Sequence, residues 1–253
     1  MYRRNAIEQG LKKLGYEIVG AGAGVKSSRP RSRDDLLVLW NKKRGMEEEW
    51  ANAWERQGGT VIVMENGYLQ KVDKTMYALS VHGHNGSGWF PVGDEDRFSK
   101  LGFGLKPMRS GDYILVCGQR SIGSSLMASP PQWAERHAAS LQKGGRKVKL
   151  RPHPGNHAPK VPLLDDLRQA AGCHVWSSAS GVLALTEGVC VLHTAPRWIC
   201  EGWDDGKWVR PGWEDSREAA LNRMAHGQWS VAEIESGEPF VRMRALGWGP
   251  KWA

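Results

Sequence analysis

The stretch from Lys147 to His193, KVKLRPHPGNHAPKVPLLDDLRQAAGCHVWSSASGVLALTEGVCVLH, does most to limit what this chain can fold into. It reads as strand, Pro-rich loop, helix, strand, serine-rich turn, helix, strand. Short apolar strands separated by helical segments predict a parallel α/β unit. The polar residues fall where each strand hands over to the next element. Those ends are where open α/β sheets bind ligands.

The rest of the chain extends the same alternation. A helix is predicted at Arg4–Leu14 and a strand at Tyr16–Val19. LLVLWN (Leu36–Asn41) is a continuous apolar strand, and Met46, Trp50 and Trp54 recur every fourth residue, predicting a helix over Met46–Arg56. Two further strands follow, TVIVMENGYL and Met76–Gly86, completing a β-α-β core with crossover helices. The pattern restarts at Gly111 with a strand at Asp112–Gln119, a polar turn and a helix at Pro131–Leu141. A helix at Asp215–His226 follows a Trp- and Gly-rich stretch. Ser230 with Glu233 then forms a capping-box pattern. The expected fold is α/β, with two Rossmann-like halves facing a cleft and a C-terminal helical tail. The expected domains are 1–107, 108–200 and a Trp-rich 201–253 segment packing back on the first.

Composition narrows the class. At 253 residues the chain can bury a core without disulfides or structural metal. Its four cysteines show no C-x-x-C pair and lie mostly in apolar runs, so they read as reduced core thiols in a cytoplasmic protein. No apolar run approaches membrane-spanning length, and the N-terminal residues lack a signal core. A formal charge of +8 favours a polyanionic partner such as nucleic acid, while the simpler reading of that charge is a solubility feature. The 13 tryptophans, against 4 phenylalanines, could stack on bases or on sugars, with Trp203, Trp208, Trp213, Trp248 and Trp252 expected to be exposed. Arg29, Arg31 and Arg33, in a Gly-, Ser- and Arg-rich loop, form a candidate nucleic-acid arm.

The chemistry-bearing groups lie at strand ends. Ser177, Ser178 and Ser180 precede an apolar helix, where backbone N–H groups and hydroxyls can bind a phosphate; a bare N-cap is the simpler reading. Arg151 and His153 follow the strand KVKL, with prolines stiffening the loop. Gln119 ends the strand before them. Glu187 closes the helix after the serine turn, against the helix dipole, which calls for a partner such as a ribose diol. In the first half His82 and His84, in the glycine-flanked HGHN loop, are candidate general bases. Asp94, in an acidic run, and Glu65, at the end of TVIVME, are the alternatives. Two histidines two apart make a weak metal signal, so no metal is expected. The G-x-S-x-G elbow of an α/β hydrolase is missing.

The motifs RPHPGN and VWSSASG resemble the C-terminal half of glycosyltransferases of the GT-B type. In bacterial sialyl and capsule sugar transferases of that fold, a His-Pro and a Ser-Ser motif grip the donor nucleotide. The resemblance implies that His153-Pro154 and Ser177-Ser178 bind a UDP- or CMP-linked sugar, that Glu187 meets the ribose, and that no bound metal is needed. It covers about 50 residues well and the remainder only by element order. A looser likeness to phage enzymes that glycosylate hydroxymethylated DNA bases implies DNA as acceptor. A cell-surface glycan is the alternative acceptor. A non-enzymatic, basic nucleic-acid-binding module is the rival reading.

Overall fold

The computed structural model describes residues 2–19, 29–71, 75–155, 161–200 and 214–250. They form two compact units, one of residues 1–95 and 225–253, the other of 96–224. The join therefore falls earlier than 107/108, and the helix expected in the tail belongs largely to the second unit. Trp203, Trp208, Trp213 and Trp252 lie outside the described residues, as does most of the loop at 21–33.

The first unit begins with helix α1 (Tyr2–Lys13), followed by β1 (Leu36–Trp40), helix α2 (Met46–Arg56), β2 (Thr60–Asn66) and β3 (Met76–Val81). The Tyr16–Val19 segment is not a strand. Strands β1 and β2 are parallel and joined by α2, as the periodicity predicts. The expected all-parallel sheet fails at β3, which pairs antiparallel with β2. The reason is the connection: residues 67–75 are too few for a crossover, which needs about a dozen residues or more, so the chain can only turn back.

Helix α2 covers one face of this sheet through Ala51 and Trp54, packed on Leu37, Val61 and Val63. Met46, read as part of that face, is exposed instead. Three glutamates in its first turn complement the helix dipole.

The opposite face is closed by α1 and by the chain's last elements, β8 (Gln228–Ser230), α8 (Val231–Ser236) and α9 (Glu238–Ala245). Strand β8 pairs antiparallel with β3. Ile62, Met64, Leu79 and Val81 meet Ala6, Leu11, Trp229, Phe240 and Trp248 there in one cluster. Trp248 is thus a core residue, not an exposed ring. The Ser230–Glu233 capping box is present.

Helix α1 approaches α8 through Gly10, where an added Cβ would stand 2.0 Å from the Ile234 carbonyl oxygen. Gly10→Ala must push two helices apart. We expect a loss of about 1–3 kcal/mol, read as a lower denaturation midpoint in urea at unchanged slope.

The second unit contains a short helix α3 (Arg97–Lys100), then β4 (Tyr113–Cys117), α4 (Trp133–Lys143), β5 (Val148–Arg151), α5 (Leu163–Arg168), β6 (Ala170–Val175), α6 (Ala179–Thr186), β7 (Cys190–His193) and α7 (Glu214–His226). Its strands form one parallel sheet in the order β5-β4-β6-β7. The Lys147–His193 stretch supplies three of them, in the predicted alternation. Helix α4 packs on Ile114 and Val116. On the other face, Gly181 of α6 lies against Val175, Val191 and Trp198. The sheet is doubly wound.

The four cysteines are free thiols, as the composition suggested. Cys117 and Cys173, on neighbouring strands, hold their sulfurs 3.8 Å apart in the core. Among the described residues no helix is long and apolar enough to cross a membrane.

Candidate functional site

In the second unit β4 is central, and the chain adds β5 on one flank before crossing to β6 on the other. Connections leaving β4 and β6 therefore diverge, opening a crevice at their carboxyl ends, where doubly wound sheets bind ligands. Gln119 and Ser177 stand at this point. The Ser177 backbone N–H donates to Gln119 Oε1 at 3.1 Å, and Gln119 Nε2 donates to Ser177 Oγ at 3.2 Å and to the Met127 carbonyl at 3.1 Å. Ser177 is buried. These two residues clasp the loops together.

Ser178 caps α6, its Oγ accepting from the Ser180 backbone N–H at 3.1 Å and donating to Ser180 Oγ at 3.1 Å. It is half-buried. Both the cap and the hydroxyl-lined helix terminus proposed from sequence are therefore real features of one turn.

His153 lies across β4 from the serine turn, on the loop after β5. Its Nδ1 accepts from the Gly155 backbone N–H at 2.9 Å, which leaves Nε2 as the protonated nitrogen of the neutral ring. Partial burial, and then the Arg120 charge, pull its pKa below the ordinary histidine value.

Arg151 sits apart from this chemistry. Its guanidinium pairs with the buried Asp166 and donates to the Val161 carbonyl at 2.8 Å. Lys149 reaches the other Asp166 oxygen at 2.6 Å.

Glu187 is not brought to the crevice. Helix α6 starts at the serine turn and runs back along the sheet, so its last residue is about 12 Å away, at the strands' amino ends. There Glu187 Oε2 accepts from Lys106 Nζ at 2.5 Å, and its carbonyl accepts from Arg109 Nε. Lys106 offsets the unfavourable dipole that sequence reasoning assigned to a ribose.

The first unit contains a second concentration of polar groups, beside the α2 face of its sheet. Lys42, Ser80, His82, His84 and Asn85 are all buried there. Asn41, His82 and Asn85 adopt φ of 57°, 71° and 54°, a region costly for residues with a side chain. The HGHN loop folds back over its own strand, with Ser80 Oγ donating to the Gly83 carbonyl at 2.6 Å. Helix α2 brings Glu55, one turn beyond the buried Ala51, to 3.0 Å from His82 Nδ1. Lys42 Nζ donates to the His82 carbonyl at 2.9 Å and lies 3.5 Å from Glu55. His82 is thus held in a buried structural network.

Glu65 points to the same face at the end of β2. Burial raises its pKa from the usual carboxylate range to about 7. The Asn41 amide, oriented to satisfy both partners, donates to Glu65 Oε1 at 2.7 Å and accepts from Trp40 Nε1 at 3.1 Å. His84 Nε2 lies 3.8 Å from the same carboxylate oxygen. Burial, and then Lys42, depress the His84 pKa to about 4, so the ring is neutral near pH 7. A neutral imidazole beside a carboxylate that titrates near 7 leaves Glu65 as the better-poised base.

Asp94 does not join this cluster. It is exposed in the bend before α3, between Gly93, whose N–H donates to His226 Nδ1, and Glu95, which pairs with Arg242.

Arg33 is pinned rather than free: its Nη2 donates to the Trp248 and Gly249 carbonyls. Arg29 and Arg31 are exposed. Among the described residues no three His, Cys, Asp or Glu side chains converge as metal ligands. Lys42, Asn41 and Glu55 were not anticipated from sequence, although the first two sit directly after β1, an end already expected to matter.

Comparison with protein families and with curated proteins finds no match. Among solved structures the chain is similar to Thermosulfurimonas dismutans KpsC, β-Kdo 2,7 transferase, with a TM-score of 0.55 and 13% identity, over 96% of this chain and 97% of that one. The two chains share a fold. The GT-B-type resemblance read from the sequence accords with that likeness at the level of the fold.

Asn41 offers a local test of the Glu65 environment. Removing a donor to the charged carboxylate disfavours that form, so Asn41→Ala should raise the Glu65 pKa further. Carbonyl-region infrared titration of the isotope-edited side chain should show the shift upward from about 7.

Proposed function

We propose that this protein is a glycosyltransferase that moves a sugar from a nucleotide-linked donor to a hydroxyl of a glycan acceptor. The observation that carries the reading is the switch-point crevice of the doubly wound sheet, with His153 on one side and the serine-capped α6 on the other, in a chain with the fold of a Kdo transferase.

In this reading the second unit holds the donor. His153 Nε2–H and the α6 N-terminal N–H groups take the phosphate oxygens. Gln119 and Ser177 fix the two loops that carry them. A general base accepts the proton of the acceptor hydroxyl as its oxygen attacks the anomeric carbon, and of the first unit's own groups Glu65 is the one chemically suited to that role. The bond from that carbon to the donor phosphate breaks, and the nucleotide leaves with the electron pair. Its developing charge meets the same donors, which is where electrostatic stabilisation acts. Asn41 orients the Glu65 carboxylate.

A glycan is favoured over DNA by one observation. Arg33, assigned to a nucleic-acid arm, is tied to the backbone carbonyls of Trp248 and Gly249 and is structural.

The test is direct. The protein is incubated with CMP- and UDP-linked sugars, with oligosaccharide or hydroxymethylated DNA as acceptor, and nucleotide release and product mass are followed with and without a chelator. Transfer to oligosaccharide, insensitive to the chelator, is the expected result. Transfer to DNA alone would replace the acceptor. No nucleotide binding and no turnover would overturn the reading.

A further inference from the structure

Arg120 follows Gln119 on the loop leaving β4, and neither the fold nor the core uses it. It is exposed, and among the described residues it pairs with no carboxylate. Its position is nonetheless set by its neighbours. The Gly118 N–H donates to the Arg151 carbonyl at 2.8 Å, the Gln119 side chain is clasped to Ser177 and Met127, and the Ile122 N–H closes a tight turn on the Arg120 carbonyl at 2.6 Å.

The guanidinium points to the His153 loop. A Cβ built on Gly155 would stand 3.0 Å from Arg120 Cδ, 3.3 Å from Arg120 Nη1 and 3.1 Å from His153 Nδ1. Guanidinium and imidazole therefore lie side by side, packed so closely on Gly155 that a single added carbon would crowd both. The ring turns Nδ1 to the Gly155 N–H and keeps its proton on Nε2, so guanidinium and ring repel each other once the ring is doubly protonated. They are complementary to a shared anion.

Arg151, the arginine that the sequence places nearer His153, cannot fill this role, since Asp166 and the Val161 carbonyl occupy it. We propose that Arg120 is a donor-binding residue of this chain, its guanidinium and the His153 Nε2–H together holding the phosphoryl group of the nucleotide sugar. The inference rests on the donor-site reading above and names the cation of that site.

The experiment is calorimetric titration of the full chain with CMP and UDP, and in parallel with cytidine and uridine. Arg120→Gln should weaken nucleotide binding about tenfold, a modest loss because the side chain is exposed and screened. Nucleoside binding and thermal unfolding should stay as in the wild type. Arg120→Lys should fall between, since an ammonium keeps the charge but loses the fork. Gly155→Ala should weaken nucleotide binding with Arg120 intact, by pushing the guanidinium and the His153 ring out of place. Nucleotide affinity of Arg120→Gln within twofold of wild type would overturn the proposal, as would an equal loss for nucleotide and nucleoside. If the wild type binds neither nucleotide, the donor site itself is wrong and the assignment of Arg120 falls with it.

Discussion

Glu65→Gln is expected to slow the proposed transfer by orders of magnitude and to make the protein more stable above neutral pH. As general base Glu65 must be ionised, so wild-type turnover should fall as pH drops through about 7. Loss of such a base costs about 10²–10⁴-fold in rate, with donor binding unchanged. The stability effect has the opposite sign. Because the folded-state pKa is raised, the folded protein binds a proton that the unfolded chain releases between its ordinary value of 4.5 and about 7. Wild-type stability from this group is fully present below 4.5 and is lost as pH rises through 7. A glutamine has no charge to bury. The variant should match wild type at pH 4 and exceed it by roughly 2–3 kcal/mol at pH 8. Chemical denaturation at the two pH values measures this, and a gain that does not grow with pH would show that Glu65 is not the titrating group.

Asp166→Ala should be among the most damaging single changes in the second unit. Asp166 is buried and binds both Arg151 and Lys149. Its backbone carbonyl also accepts from Tyr113 Oη at 2.7 Å, but that bond survives the substitution. Truncation leaves the half-buried Arg151 guanidinium without its counter-charge, a loss of about 3 kcal/mol, at the low end for a buried pair. Replacing both partners by apolar residues, as in Asp166→Leu with Arg151→Met, should recover much of it, because neither charge is then left alone. If the double variant is no better than Asp166→Ala, Arg151 has a role beyond this ion pair.

How much was legible in the sequence differed between the two units for a physical reason. In the second unit every strand is followed by a helix, so apolar runs and turns suffice to order the parallel sheet, and the capping serine and the His-Pro loop fell at strand ends as read. In the first unit β3 has the composition of another buried strand, and only the length of the 67–75 connection tells that it must return antiparallel. Glu187 was misplaced by spacing alone, although the polarity of α6 puts its last residue at the far edge of the sheet. Which arginine is spent and which is available cannot be read from sequence. Arg151 and Arg120 differ through Asp166, which comes into contact only when α5 closes. The Glu65 environment was hidden likewise, since it is made by Asn41 and the folded-back HGHN loop, both in backbone conformations that composition does not announce.

The return of residues 225–253 to the first unit sets an order of assembly during synthesis. All strands of the second unit's sheet, from Tyr113 to His193, are made before β8, so that sheet can close early. The first unit cannot. Ile62, Met64 and Leu79 emerge before the second unit, yet Trp229, Ile234, Phe240, Met243 and Trp248, which bury them, are translated only after it. Its half-finished sheet must keep an apolar face in water while the whole second unit is made. A ribosome-stalled chain ending before Gln228 should therefore expose that face to chaperones and proteases, even with the second unit's sheet already closed.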